Sequence, residues 1–65
     1  MKIIINGEEQ TVDKNITIQD LLIQLKLPKE TVVEHNQVIL QRNEYAHLQV
    51  NPGDILELIR FMGGG

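Results

Sequence analysis

The segment KIIINGEEQTV, residues 2–12, carries the strongest local signal for the fold. Asn6 and Gly7 both accept a positive φ, and this dipeptide between β-branched runs favours a two-residue hairpin turn. Strand alternation before the turn places Ile4 on the face opposite two inward side chains, Ile3 and Ile5. The segment therefore predicts an N-terminal β-hairpin, after which Val12 returns to the core.

Residues 15–28, NITIQDLLIQLKLP, predict a short amphipathic helix. Thr17 is the expected N-cap, and Asp20 lies in the first turn, near the positive end of the helix dipole. Aspartate in place of glutamate or glutamine makes this an imperfect capping box. Pro28 is expected to close the segment. The i, i+3, i+4, i+7 face consists of Ile18, Leu21, Leu22 and Leu25.

Further short strands are predicted after the helix. Residues 31–40, TVVEHNQVIL, form two of them around Asn36-Gln37, a weaker turn because glutamine does not readily take a positive φ. Residues 41–48, QRNEYAHL, are polar and irregular. The sequence therefore predicts a second hairpin followed by a loop.

Residues 50–62, VNPGDILELIRFM, predict the last strand. Pro52-Gly53 suits the central positions of a type II turn. In the strand that follows, the chosen register points Leu56 and Leu58 inward and Ile59 outward, together with Ile55 and Glu57. A shift by one residue would instead bury Ile59 and Phe61, and the sequence alone leaves this alternative open.

The order of elements indicates an α+β fold. A hairpin followed by a helix and further strands requires a mixed sheet, with the helix on one face. If the last strand pairs in parallel with the first, the result is a β-grasp (ubiquitin-like) sheet of four to five strands packed against one helix. A chain of 65 residues fits one domain. We expect this domain over residues 1–62 and a flexible glycine tail over residues 63–65.

The composition argues against several classes of function. A net charge of −3 and scattered basic residues are not typical of nucleic-acid binding. Apolar runs are too short to span a membrane, and without cysteine or a targeting segment the cytoplasm is the expected compartment.

Catalytic and metal-binding signals are also weak. Serine and cysteine nucleophiles are missing from the sequence, and the acidic pairs Glu8-Glu9 and Asp54/Glu57 are interpreted as solvated. His35 is interpreted as a strand-end residue and His47 as a loop residue, so no metal site is expected. We therefore predict no catalytic residue.

The ordered set of motifs resembles a known family. The chain contains INGEE, TIQDLLIQL, VVEHNQVILQR, NPGDILELI and a closing run of glycines. With the predicted fold, these motifs resemble the ThiS family of ubiquitin-like sulfur carriers of thiamine biosynthesis over essentially the whole chain. Gln37 and Gln41 depart from the glycine and proline that the family commonly has there, both in a turn or loop.

The resemblance implies a protein cosubstrate and not an enzyme. An adenylyltransferase related to ubiquitin-activating enzymes would use ATP and magnesium to adenylate the Gly65 carboxylate. Sulfur from a cysteine desulfurase or another donor would then give a thiocarboxylate, and thiazole synthase would accept that sulfur. The carrier itself would bind no cofactor.

The glycines suit such chemistry because they lack Cβ atoms. Gly63 and Gly64 are expected to thread a partner's active site, which side chains would block. The residues expected to dock partners beside the tail are Ile59, Phe61, Met62 and Ile4. Two other functions stay open: a carrier of the molybdopterin-synthase small-subunit type, and a noncatalytic β-grasp interaction module whose tail is a frayed end.

Overall fold

The computed structural model describes residues 1–60, which contain five strands and one α-helix in the predicted order. The helix α1 spans Ile18–Gln24, and a 3-10 helix spans Arg42–Glu44. Phe61, Met62 and the predicted tail lie outside the described residues. The strands are β1 (Lys2–Ile5), β2 (Glu8–Thr11), β3 (Val32–His35), β4 (Val38–Ile39) and β5 (Ile55–Ile59).

The five strands form one mixed sheet in the order β2-β1-β5-β3-β4. The central strands β1 and β5 are parallel, with Ile4 opposite Ile55 and Ile5 opposite Leu56. The other neighbouring strands are antiparallel. This is the predicted β-grasp arrangement, so the prediction of fold class is confirmed.

Both hairpins turn through two residues that have positive φ. Asn6 and Gly7 have φ values of 51° and 84°, and Asn36 and Gln37 have values of 49° and 74°. Positive φ at both central positions is the geometry of a type I′ turn, which matches the twist of paired strands. The second turn therefore forms although Gln37 carries a Cβ atom, which makes this conformation unfavourable.

The helix begins with a complete capping box. Thr17 Oγ1 accepts a hydrogen bond from Asp20 N–H at 3.1 Å, and Asp20 Oδ2 accepts one from Thr17 N–H at 3.0 Å. The prediction of an imperfect box was therefore too cautious, because aspartate makes the reciprocal bond here. Within residues 1–60 no helix is long and apolar enough to cross a membrane.

The helix ends four residues before Pro28, and the prediction that Pro28 closes it was wrong. Lys26 adopts a left-handed conformation with φ 59°. Its N–H donates to Ile23 O at 3.0 Å, and Leu27 N–H donates to Leu22 O at 2.9 Å. These two bonds form a Schellman motif, which turns the chain and brings Leu27 against the core.

The core lies between α1 and one face of the sheet. The predicted inward residues of β1, α1 and β5 are buried, with Leu25 partly buried at the margin. Loops add side chains that the strand and helix patterns did not single out, among them Leu40 and Tyr45. The buried apolar residues are Ile3, Ile5, Val12, Ile16, Ile18, Leu21, Leu22, Val33, Leu40, Tyr45, Val50, Leu56 and Leu58.

The segment 41–48 is more ordered than its polar sequence indicated. After the 3-10 helix, Tyr45 places its ring in the core. Its hydroxyl donates to Thr31 O at 2.8 Å and accepts from Val33 N–H at 3.1 Å. The tyrosine therefore ties this loop to the beginning of β3.

Candidate docking face and tail root

The face of the sheet opposite α1 exposes apolar side chains along β5. Ile55 and Ile59 are 53% and 49% exposed, and they alternate with the buried Leu56 and Leu58. The observed register is the one chosen from the sequence, and the alternative that buries Ile59 is excluded. Ile59 is thus available to a partner, although its role in docking stays a prediction.

Two further isoleucines extend this surface. Ile4 is half-buried and pairs with Ile55, and Ile39 on β4 is 67% exposed. Ile55 and Ile59 are four positions apart along β5, so the Ile4–Ile55 pair lies roughly 13 Å from Ile59. We call the surface formed by Ile4, Ile39, Ile55 and Ile59 the open face. Phe61 and Met62, also predicted to dock, lie outside the described residues.

Two members of the open face were not predicted to dock partners. The outward position of Ile55 was already clear from the alternation in β5, and this pattern was sufficient to include it. Ile39 required the register of the β3–β4 hairpin, which places it opposite Glu34. A weak turn signal at Asn36-Gln37 did not define that register.

Carboxylates lie among the isoleucines of the open face. Glu57 stands between Ile55 and Ile59 on β5 and lies directly opposite Glu34 on β3. Like charges at opposed positions disfavour the pairing of two strands. A partner that covered this face with apolar groups alone would bury two carboxylates at a high cost. The face is therefore complementary to a partner surface with basic side chains among apolar ones.

The end of β5 is held by the side chain of Asn6. Asn6 Oδ1 accepts a hydrogen bond from Leu58 N–H at 2.8 Å, and Asn6 Nδ2 donates to Leu58 O at 3.4 Å. On the other side of β5, Ile59 pairs with Val32 of β3. The last residues of the strand before the glycine tail are therefore held from both sides, and we call Leu58, Ile59 and Arg60 the tail root.

The beginning of β5 is defined by the predicted type II turn. Gly53 has φ 83°, and Asp54 N–H donates to Asn51 O at 3.1 Å. The positive φ at this third turn position requires glycine or a residue that tolerates the left-handed region. The turn prediction is confirmed.

The Asp54 side chain is buried, so its interpretation as a solvated carboxylate was wrong. Its Oδ2 atom accepts from Asn51 N–H at 2.8 Å and lies 2.7 Å from His35 Nε2, and Asn36 Nδ2 donates to its Oδ1 at 3.3 Å. Burial by itself raises the pKa of Asp54, but the bonds from Asn51, His35 and Asn36 outweigh it and hold the pKa below its ordinary value. Glu57, its predicted companion, is exposed.

Arg42 lies on the opposite side of the molecule, beside α1. Its Nη2 atom donates to the backbone oxygen of Glu30 at 2.9 Å. A shallow groove of about 440 Å³ runs beside it, and Leu22, Leu27 and Tyr45 contribute to its wall. None of the predicted site residues within residues 1–60 lines this groove.

Comparison with known proteins identifies the family. The family model described as "ThiS family" matches residues 3–65, which is nearly the whole chain and includes the closing glycines. The chain belongs to the ThiS family. The match includes the helix and, apart from Lys2, every residue of the five strands, so it applies to the fold as well as to the closing glycines.

The curated relatives of this chain are of two lengths. The sulfur carrier protein ThiS of Bacillus subtilis is 35% identical over 63 residues, covering 94% of this chain and 96% of that protein. Thiazole synthases of Paramagnetospirillum magneticum and Magnetococcus marinus are 42% and 33% identical over 66 residues, which cover 100% of this chain and 20% of each synthase. The chain thus spans about a fifth of the length of these two synthases.

Solved structures of a ThiS protein share this fold. The crystal structure of the thiamine biosynthesis protein ThiS from Geobacter metallireducens has a TM-score of 0.83 and 35% identity, covering 100% of both chains. The solution structure of a thiamine biosynthesis protein from the same organism has the same TM-score and identity and covers 100% of this chain and 88% of the other. Residues 1–60 therefore have the ThiS-family β-grasp fold.

Proposed function

We propose that this ThiS-family chain is a sulfur carrier of thiamine biosynthesis, and that its Gly65 carboxylate is adenylated and then converted to a thiocarboxylate. The observation that carries the proposal is the family match over residues 3–65, which runs through Gly63 and Gly64 to Gly65. In this function the chain is a cosubstrate of other enzymes and binds no cofactor itself.

The proposed chemistry begins at the terminal carboxylate. With a pKa of about 3.5 this group is ionised at neutral pH. One of its oxygens attacks the α-phosphate of ATP in the partner's active site, where magnesium is bound, and pyrophosphate leaves. The resulting acyl adenylate activates the Gly65 carbonyl carbon, so that a sulfur nucleophile replaces AMP. With sulfide as the donor, the product is the thiocarboxylate and free AMP.

The open face supports the proposal because the tail alone offers little binding energy. Five residues after Arg60 reach at most about 18 Å when extended, enough to enter a cleft beside a docked body. Clamping a glycine chain costs much conformational entropy, so specific contacts by the body must offset it. We assign these contacts to Ile4 and Ile59, with Phe61 and Met62, as predicted, and add Ile55.

The partners follow from the same proposal. An adenylyltransferase related to ubiquitin-activating enzymes activates Gly65, a cysteine desulfurase or another donor supplies sulfur, and thiazole synthase receives it, in the cytoplasm. Two proteins named thiazole synthase contain a segment that matches this entire chain, which supports the link to that enzyme. No nucleic acid or membrane takes part.

Intact-mass spectrometry tests the proposal. The chain is incubated with the adenylyltransferase of its own organism, ATP, magnesium and sulfide, and the expected product is heavier by the difference between sulfur and oxygen. A variant lacking Gly65 and a variant with one residue added after Gly65 serve as controls, and both should stay unmodified at an unchanged Tm. If the wild-type mass does not change, or if the extended variant is modified without prior trimming, the proposal is wrong.

A second experiment identifies the acceptor. Copurification of the thiocarboxylated chain with thiazole synthase, and transfer of its sulfur there, is the expected result. If the chain is retained instead by the large subunit of a molybdopterin synthase, it serves molybdopterin synthesis and not the thiamine pathway. A chain that binds partners but is never modified would be an interaction module.

A further inference from the structure

The backbone ladder between β1 and β5 stops where β1 turns away. Ile4 N–H donates to Asp54 O at 2.9 Å, and Asn6 N–H donates to Leu56 O at 2.9 Å. If β1 continued, the backbone carbonyl of Asn6 would next accept from Leu58 N–H. The chain instead reverses at Asn6, which has φ 51°, so that its backbone cannot follow β5 any further.

The side-chain amide of Asn6 takes the place of the missing peptide group. Its Oδ1 atom accepts from Leu58 N–H at 2.8 Å and its Nδ2 atom donates to Leu58 O at 3.4 Å. Leu58 is only 8% exposed, so little water reaches these two backbone groups. Both polar groups of Leu58 therefore depend on one side chain that is 52 positions away in the sequence.

Leu58 begins the tail root, which makes this contact relevant to the tail. When a carboxyl group must react in another protein's active site, its rate of reaction depends on the direction of the strand that precedes it. Small errors in the placement of the reacting atoms slow a reaction strongly. We infer that Asn6 is a positioning residue, whose amide holds Leu58 in the sheet and thereby fixes the direction in which the chain leaves β5 at Arg60. This inference rests on the proposed function of Gly65.

The chain contains a matched control at the opposite end of β5. Asn36 has φ 49°, occupies the same position in its own type I′ turn, and accepts a hydrogen bond from Ile55 N–H through Oδ1 at 2.9 Å. It also donates to Asp54, so its removal costs at least as many hydrogen bonds as removal of the Asn6 amide. Asn36 thus holds β5 in the same way, but at the end far from the tail.

The test compares Asn6→Gly with Asn36→Gly. Glycine keeps the positive φ that each turn requires and removes only the amide. For Asn6→Gly we expect faster hydrogen exchange at Leu58 N–H. In steady-state adenylation by the cognate adenylyltransferase, we expect kcat to fall roughly tenfold, as for the loss of one or two hydrogen bonds, with little change in KM for the carrier. For Asn36→Gly we expect a similar or larger loss of Tm and an unchanged kcat.

The separation of kcat from Tm decides the outcome. A purely structural role of Asn6 would lower Tm in both variants and leave kcat per folded molecule unchanged in both, which would overturn the inference. An equal loss of kcat in the two variants would also overturn it. If the wild-type chain is not adenylated at all, the proposed function fails. The inference fails by itself when the wild type is adenylated and either Asn6→Gly matches its kcat or the two variants lose kcat equally.

Discussion

The hydroxyl of Tyr45 joins two backbone groups inside the core, and its removal should strongly destabilise the protein. It donates to Thr31 O and accepts from Val33 N–H, and the tyrosine is only 6% exposed. Tyr45→Phe keeps the ring and leaves a buried N–H and a buried C=O without their partner. An unsatisfied buried group costs about 1–3 kcal/mol, so two should lower the free energy of unfolding by about 2–6 kcal/mol.

This loss is large for a small domain. A chain of this length is expected to have a total stability of roughly 3–10 kcal/mol. Because a domain of this size loses roughly 4–8 °C of Tm per kcal/mol, Tyr45→Phe should lower Tm by at least about 8 °C. The measurements are urea unfolding followed by circular dichroism, and a thermal scan of the same samples.

A hydroxyl in a different setting serves as the control. Thr11 lies exposed on β2, and Thr11→Val should change the free energy of unfolding by less than about 0.5 kcal/mol. If Tyr45→Phe were as mild as this control, the two buried hydrogen bonds would contribute little to the stability of the fold, and the expected loss would be wrong.

Two further predictions concern the turns at the ends of β5 and β3. Since the pKa of Asp54 lies below its ordinary value of 3.8, the ionised carboxylate stabilises the fold above that pH, and this contribution is lost as the pH falls through the lowered pKa. Asp54→Asn should therefore be less stable near neutrality and show a flatter acid dependence of its urea midpoint. Gln37→Gly should raise the free energy of unfolding by about 1 kcal/mol, because glycine adopts φ 74° without the Cβ penalty.

Each of these has its own contradicting result. Parallel pH profiles for the wild type and Asp54→Asn between about pH 6 and pH 2 would show that the Asp54 bonds are not linked to proton binding. For the turn, Gln41→Gly is the matched control, since Gln41 has φ −83° and should lose stability on the same replacement. A loss of similar size at Gln37 would mean that the left-handed conformation carries no cost there.

Much of the fold could be predicted because its signals are local. Asn6-Gly7 and Pro52-Gly53 adopt the turns that their residue types favour, and Thr17 caps the helix where its spacing to Asp20 indicated. Strict alternation in β5 also placed Ile59 on the open face. Each of these signals involves residues within a few positions of one another, for which backbone conformation and side-chain period are sufficient.

The prediction that Pro28 ends the helix failed on a local motif, but the other two failures concern residues whose partners are distant in the sequence. Asp54 was interpreted as solvated because a domain of 65 residues has little room for a desolvated cleft, yet its side-chain partners include His35 and Asn36, 19 and 18 positions earlier. Tyr45 was assigned to an irregular loop because its neighbours are polar, and its hydroxyl bonds to residues 12 and 14 positions earlier. No period within the sequence reports such contacts.

The sequence by itself therefore determined the order of the elements, their turns and the alternation that exposes Ile59, since these depend on short-range sterics and periodicity. Only the tertiary structure decided what surrounds β5: the Glu34–Glu57 pair across it, the buried carboxylate at its beginning and the Asn6 amide at its end. The physical reason is that a parallel pairing of the first and last strands brings together polar groups up to 52 positions apart, and their hydrogen bonds form only once the whole sheet is assembled.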